Sequence, residues 1–152
     1  MSHREVSKVG DLCRSPVVTV RASDSLRVAA ERMTRAGVGC VVVEHERRPI
    51  AILTDRDLAL AALCEGLDVE ATAVEKVMGR VPITVSENES LQGAAQCIGA
   101  ARVRRLPVVN IEGLLVGLLS ADDLMHHAAE RLSRIGAVLG QQLGECPEGV
   151  CA

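Results

Sequence analysis

AILTDRDL, residues 51–58, and GLLSADDL, residues 117–124, are two versions of one phrase. Each is an apolar run followed by a hydroxyl residue and, three positions on, an aspartate: Thr54 with Asp57, and Ser120 with Asp123. An apolar run entering Ser/Thr-x-x-Asp reads as a strand that feeds the first turn of a helix. There the hydroxyl and the carboxylate stand beside backbone N–H groups that have no partner within the helix. Two readings fit. The pattern is close to a capping box, in which the acid reaches back to the cap N–H. It is also a corner suited to a phosphate and a ribose.

The flanking residues repeat as well. Asp11-Leu12-Cys13 is answered by Lys76-Val77-Met78, Thr19-Val20 by Thr84-Val85, Ser25-Leu26 by Ser90-Leu91, and Ala29-Ala30 by Ala94-Ala95, all at an offset of 65. By Ser120 and Asp123 the offset is 66, so the second turn (IEG, 111–113) carries one extra residue. The chain is an internal duplication, and each unit alone has too little core to stand.

Within the first unit, VVTV (17–20) reads as a strand. Ser23 or Asp24 starts a helix whose Leu26, Ala29, Ala30 and Met33 share a face and which Gly37 stops. CVVVE (40–44) and IAIL (50–53) are strands around the charged turn HERRP (45–49), and a helix runs from Thr54 through Leu58, Leu60 and Leu63 to Gly66. The predicted fold is α+β: two tandem β-α-β-β-α repeats packed as a pseudo-twofold pair, sheets face to face, with equivalent clefts and a C-terminal helix and tail. The expected boundaries are 8–66 for the first repeat, 67–75 for a linker, 76–132 for the second repeat, and 133–152 for a helical extension and flexible tail. Leu124, Ala128, Leu132, Ile135 and Leu139 form a near-heptad apolar stripe whose distal end is expected to meet another subunit. From Gly140 onward a frayed tail is expected.

Composition narrows the function. The chain of 152 residues is 48% hydrophobic and 24% charged, which suits a globular fold. Its net charge of −3 offers no basic field for nucleic acid. With no aromatic residue there is no stacking platform, so any base held here lies between aliphatic groups. No signal-peptide h-region opens the chain and no apolar run reaches membrane-spanning length, so a cytoplasmic protein is expected, with no membrane partner. The six cysteines are scattered, and those within apolar patterns read as small buried hydrophobes.

Taken together, VTV at 18–20 with ITV at 83–85, ILTDRDL at 52–58, RRLPVV at 104–109 and LVGLLSADDL at 115–124 resemble a pair of CBS (cystathionine β-synthase-type) repeats, a Bateman module, over roughly residues 8–132. GLDVEATAVEKVM (66–78) is also similar to small bacterial stand-alone CBS-pair proteins, including the hypoxic response protein type. The resemblance implies binding of an adenosine-containing ligand (AMP, ADP, ATP, NAD or S-adenosylmethionine) between repeats, with no required cofactor, in a regulatory protein that senses nucleotide or energy state, forms a homodimer and signals to an effector protein. It implies that Asp57 and Asp123 accept bonds from ribose hydroxyls, with Thr54 and Ser120 near ribose or phosphate. Thr19, Val20, Thr84 and Val85 would meet the base through backbone groups, and Val38, Val103 and Pro107 would wall it. Arg104 and Arg105 would face phosphate in one of the two clefts. The repeats differ, however. Gly39-Cys40 stands where the second has Arg104-Arg105, and Ala51 where it has Gly117. Arg56 precedes Asp57, whereas Asp122 precedes Asp123 and would repel a phosphate, so the two clefts should differ in affinity. The alternative is a structural or interaction dimer of the same fold that binds no nucleotide.

Two further constellations are weaker. Adjacent His126 and His127 point about 100° apart on a helix and do not readily share a metal. Cys146-x4-Cys151 is looser than a zinc knuckle, so no metal site is expected. No Gly-x-Ser-x-Gly, Walker loop or zincin helix is present, Asp57 and Asp123 belong to separate corners, and Cys40 has no matching histidine. A catalytic site is not expected.

Overall fold

The computed structural model describes residues 7–144, with side chains to residue 139. After a short helix α1 (Val9–Leu12), the first repeat consists of β1 (Thr19–Val20), α2 (Leu26–Ala36), β2 (Cys40–His45), β3 (Arg48–Thr54) and α3 (Asp55–Leu63). A single 3-10 turn at Val74–Lys76 precedes the second repeat: β4 (Val85–Ser86), α4 (Leu91–Ala101), β5 (Arg105–Val109), β6 (Leu115–Ser120) and α5 (Ala121–Gly144). Among the described residues the strands form two three-stranded sheets, β1-β2-β3 and β4-β5-β6, each with one parallel and one antiparallel pair. The α+β duplication read from the sequence is the architecture observed.

Local chemistry accounts for the element ends. Ser25 caps α2 by accepting from the Val28 N–H at 3.3 Å, and Ser90 caps α4 through the Gly93 N–H at 3.0 Å. The expected start at Ser23 or Asp24 is therefore corrected to Ser25; the Asp24 carboxylate instead accepts from the Arg21 N–H at 2.9 Å. Gly37 ends α2 in the left-handed conformation. The β2–β3 turn contracts to Glu46-Arg47, both at positive φ, so the strands run further than HERRP suggested. In the second hairpin the extra residue is absorbed by a turn in which the Asn110 side chain accepts from the Glu112 and Leu114 N–H groups.

Two expected strands shorten, one of them for a traceable reason. Val17 and Val18 lie outside β1. In the first repeat the Val42 N–H donates to the Val18 carbonyl at 3.0 Å. The equivalent of Val42 is Pro107, which has no N–H to give the equivalent carbonyl, that of Ile83. Thr84 accordingly falls outside β4, and Val81 and Ile83 are exposed.

Each repeat has its own core, and each core is completed by the turn that begins the other repeat. Val9 of α1 is fully buried in the second core, beside Leu106, Val108 and Leu119. Val74 is fully buried in the first, beside Leu26, Val41 and Leu53. The backbone bonds are equivalent: Val9 N–H to Glu89 O (2.9 Å) and Gly10 N–H to Glu87 O (2.8 Å) on one side; Val74 N–H to Asp24 O (2.8 Å) and Glu75 N–H to Ala22 O (3.0 Å) on the other. Leu67 and Val69, between the repeats, also pack on the first core.

Beyond the repeat, α5 continues to Gly144, which corrects the frayed tail expected from Gly140. On it Leu132, Ile135, Val138 and Leu139 are more than half exposed. Leu60 and Leu63 of α3 also face outward. Among the described residues no helix is long and apolar enough to cross a membrane.

Candidate functional site

Both repeated phrases fold into reciprocal caps. In the first, the Asp57 Oδ2 accepts from the Thr54 N–H (2.9 Å) and the Thr54 hydroxyl (2.7 Å), while the Thr54 Oγ1 accepts from the Asp57 N–H at 3.2 Å. In the second, the Asp123 Oδ2 accepts from the Ser120 N–H (3.0 Å) and hydroxyl, and the Ser120 Oγ accepts from the Asp123 N–H at 3.1 Å. The capping reading therefore holds at both corners. It leaves one oxygen of each carboxylate for other work.

The two free oxygens meet different surroundings. Asp123 Oδ1 accepts from the Arg14 Nε–H at 2.9 Å, an ion pair across the seam between repeats. Burial alone would raise the Asp123 pKa, but hydrogen bonds from Ser120 and Arg14 outweigh it and hold the carboxyl below its ordinary value. Asp57 Oδ1 accepts no bond among the described residues. The position equivalent to Arg14 is Gly79, which has no side chain to reach across.

Around Ser120 and Asp123 lies a cleft of about 290 Å³. One wall belongs to the second repeat: Arg105, Leu118, Ser120, Asp122 and Asp123. The other belongs to the first: Arg14, Pro16, Val17, Val18 and Gly37 to Cys40. The main-chain pairing of Arg14 with Leu118 (N–H to O 2.9 Å and 3.0 Å, in both directions) fixes the two walls together at the seam.

Of the residues singled out in the sequence, Val38, Arg105, Ser120 and Asp123 are gathered in this cleft. Thr54 and Asp57 form the other corner, and Arg56 is exposed beside them. Arg104 turns outward onto Asp122 at 3.4 Å, which offsets the charge expected to repel a phosphate. The remainder sit elsewhere. Thr19 lines a separate opening with Glu44, Arg47 and Leu115. The Val20, Val85 and Pro107 side chains are buried, Val103 packs against the second core, and Thr84 is exposed outside the strand. Sequence reading missed Arg14 and the Pro16–Val18 wall. The available signal was the charge of Arg14 against the neutrality of Gly79, at a position where the repeats otherwise correspond.

Cys40 lines the cleft as a poor nucleophile: burial pushes its thiol up and Asp55 adds to that, with Arg105 opposing. His126 reaches Glu130 at 3.3 Å while the His127 Nε2 is enclosed without a hydrogen-bond partner, so the two rings diverge. Among the described residues no cluster of His, Cys, Asp or Glu suits a metal; Cys146 and Cys151 lie outside them.

The CBS domain model matches residues 9–63 and 74–130. The chain is 31% identical to the uncharacterized protein MK0525 of Methanopyrus kandleri over 80% of its own length, and spans 62% of that relative. It is 34% identical to the CBS domain-containing protein YhcV of Bacillus subtilis, covering 78% of this chain and 84% of YhcV. Among solved structures, the CBS domain protein PAE2072 from Pyrobaculum aerophilum, complexed with AMP, superposes with a TM-score of 0.68 at 28% identity, covering 76% of this chain and 88% of that one. Hypoxic Response Protein I, solved with two coordinated zinc ions, gives 0.70 at 27%, covering 79% and 98%. The duplicated strands, the paired caps and these matches agree: the chain belongs to the CBS domain family and carries two CBS domains in tandem.

Proposed function

We propose that the protein is a regulatory module that binds an adenosine-containing ligand in the Ser120–Asp123 cleft and passes the change to a partner. The carrying observation is that cleft, where a carboxylate and the N-terminal end of α5 face aliphatic Val17 and Val38, with Arg105 on the same wall. In this reading Asp123 accepts from the ribose diol. The Asp122 N–H, left over in the first turn of α5 once those of Ala121 and Asp123 are bonded, and the Arg105 guanidinium take a phosphate. The base lies between aliphatic side chains, as a chain without aromatics requires. The AMP complex of PAE2072 supports the ligand class. Asp57, Thr54 and Arg56 form a second, weaker site. Dimerisation through the exposed stripe of Leu132, Ile135 and Leu139 would carry the signal, and the chain acts by binding rather than by catalysis.

One observation favours a second reading, an interaction protein without ligand: the capping bonds already give each carboxylate a structural role. An absorbance spectrum separates the two. The chain has no Trp, Tyr or Phe and is almost transparent at 260 nm. An adenine peak released by heat and identified by mass supports the sensor. A flat spectrum followed by failed titrations with AMP, ATP, NAD and S-adenosylmethionine would put the interaction reading ahead. Asp123→Ala should weaken calorimetric binding by about tenfold or more, the loss of a charge-assisted bond; unchanged binding refutes the ribose assignment.

A further inference from the structure

We infer that Arg14 makes the Ser120–Asp123 cleft selective for a ligand that carries a phosphate beside its ribose; this rests on the nucleotide reading above. Three observations lead there. First, Asp123 Oδ2 is committed to Ser120, so a ribose diol must use Oδ1, where the Arg14 Nε–H already sits at 2.9 Å. The diol and the guanidinium compete for one oxygen. Second, the Arg14 main chain is fixed at the seam, its N–H and carbonyl both paired with Leu118, so the side chain is rooted at the edge of the cleft. Third, the two terminal amino groups of Arg14 donate to nothing among the described residues, while the side chain lines the cleft.

A planar guanidinium with open terminal N–H groups matches a phosphate in a two-bond fork. A nucleotide that takes Oδ1 from Arg14 returns a phosphate to it, so the charge remains paired. A neutral nucleoside takes the same oxygen and returns nothing. Arg14 therefore penalises the nucleoside and rewards the nucleotide, independently of Arg105 on the facing wall. The other corner, with Gly79 in place of Arg14, lacks this discrimination.

Calorimetric titration of the full chain with AMP and with adenosine tests the inference, on the wild type, Arg14→Ala and Arg14→Gln. Arg14→Gln keeps a donor for Asp123 without the charge, and far-UV circular dichroism checks that both variants fold. The wild type should prefer AMP. In both variants AMP should bind about tenfold more weakly while adenosine binds as well as before or better, so that the preference shrinks by at least that factor. Equal affinity of the wild type for AMP and adenosine, or an equal loss of both ligands in the variants, overturns the selectivity and leaves the nucleotide reading standing. Binding of neither ligand by the wild type overturns that reading and the selectivity with it.

Discussion

Arg14 and Asp123, 109 positions apart, meet at 2.9 Å across the seam between the repeats. Asp123 is only 10% exposed, so its ionised form depends on that partner and on Ser120. The equivalent pair, Gly79 and Asp57, has no side chain with which to close the gap. A duplicated sequence thus encloses two unlike corners, one bridged and one open.

The Asp123 carboxyl titrates below its ordinary value of 3.8 in the folded chain. A depressed acid contributes stability that is complete above the unfolded pKa and lost as pH falls through the folded one. The stability gap between wild type and Asp123→Asn should therefore be constant from about pH 7 down to about pH 5 and close below about pH 4. Urea titrations at several pH values, followed by far-UV circular dichroism, check this. A gap that persists at the lowest pH would assign the cost to geometry instead of charge.

Val9→Ala and Val74→Ala each empty a fully buried site in the core of the opposite repeat. Each should cost about 2 kcal/mol, as other core truncations of this size do. Because each turn docks on the other half, unfolding should stay a single transition in both variants. Two separated transitions would mean that the halves are energetically independent.

Gly117→Ala should destabilise by about 1–3 kcal/mol through overpacking. A Cβ there would collide with the Cys13 Sγ and lie 3.0 Å from the Cys13 Cβ and 3.4 Å from the Arg14 carbonyl. Adding Cys13→Ala should recover part of the loss, as residues in contact couple. Purely additive effects in the double variant would show that the clash is relieved elsewhere.

Much of the fold was legible because repetition is a signal that survives local ambiguity. Thr54 with Ser120 announced a helix start twice, Ser25 with Ser90 marked the repeat although the start of α2 was placed one or two residues early, and the one-residue slip in offset located the longer hairpin. The Ser/Thr-x-x-Asp phrases were read as caps or ligand corners, and the caps are there. What stayed hidden was non-local. Nothing near Arg14 in sequence points to Asp123, and nothing near Val9 says that its core lies beyond residue 84. The displacement of Thr84 was readable in principle. Pro107 cannot donate to a neighbouring strand, but that matters only once the register opposite it is known.

Pro107→Val restores the missing N–H and should extend the pairing of β4 with β5. The amide at position 107 should then exchange slowly with deuterium, and protection should rise across residues 83–85. Fast exchange at position 107 would mean that the absent donor is not what shortens the strand.

The exchanged turns have a consequence for how such a chain is put together. Cut between its halves, the first piece would keep a turn without a socket and a socket without a turn, and so would the second. Two copies of one piece would satisfy each other by trading turns. The intact chain is, in that sense, a domain-swapped dimer closed within a single polypeptide. The peptide between the halves supplies the second partner at a fixed, high effective concentration. It also releases the two halves from having to be identical, and so one corner was able to acquire an arginine that the other lacks.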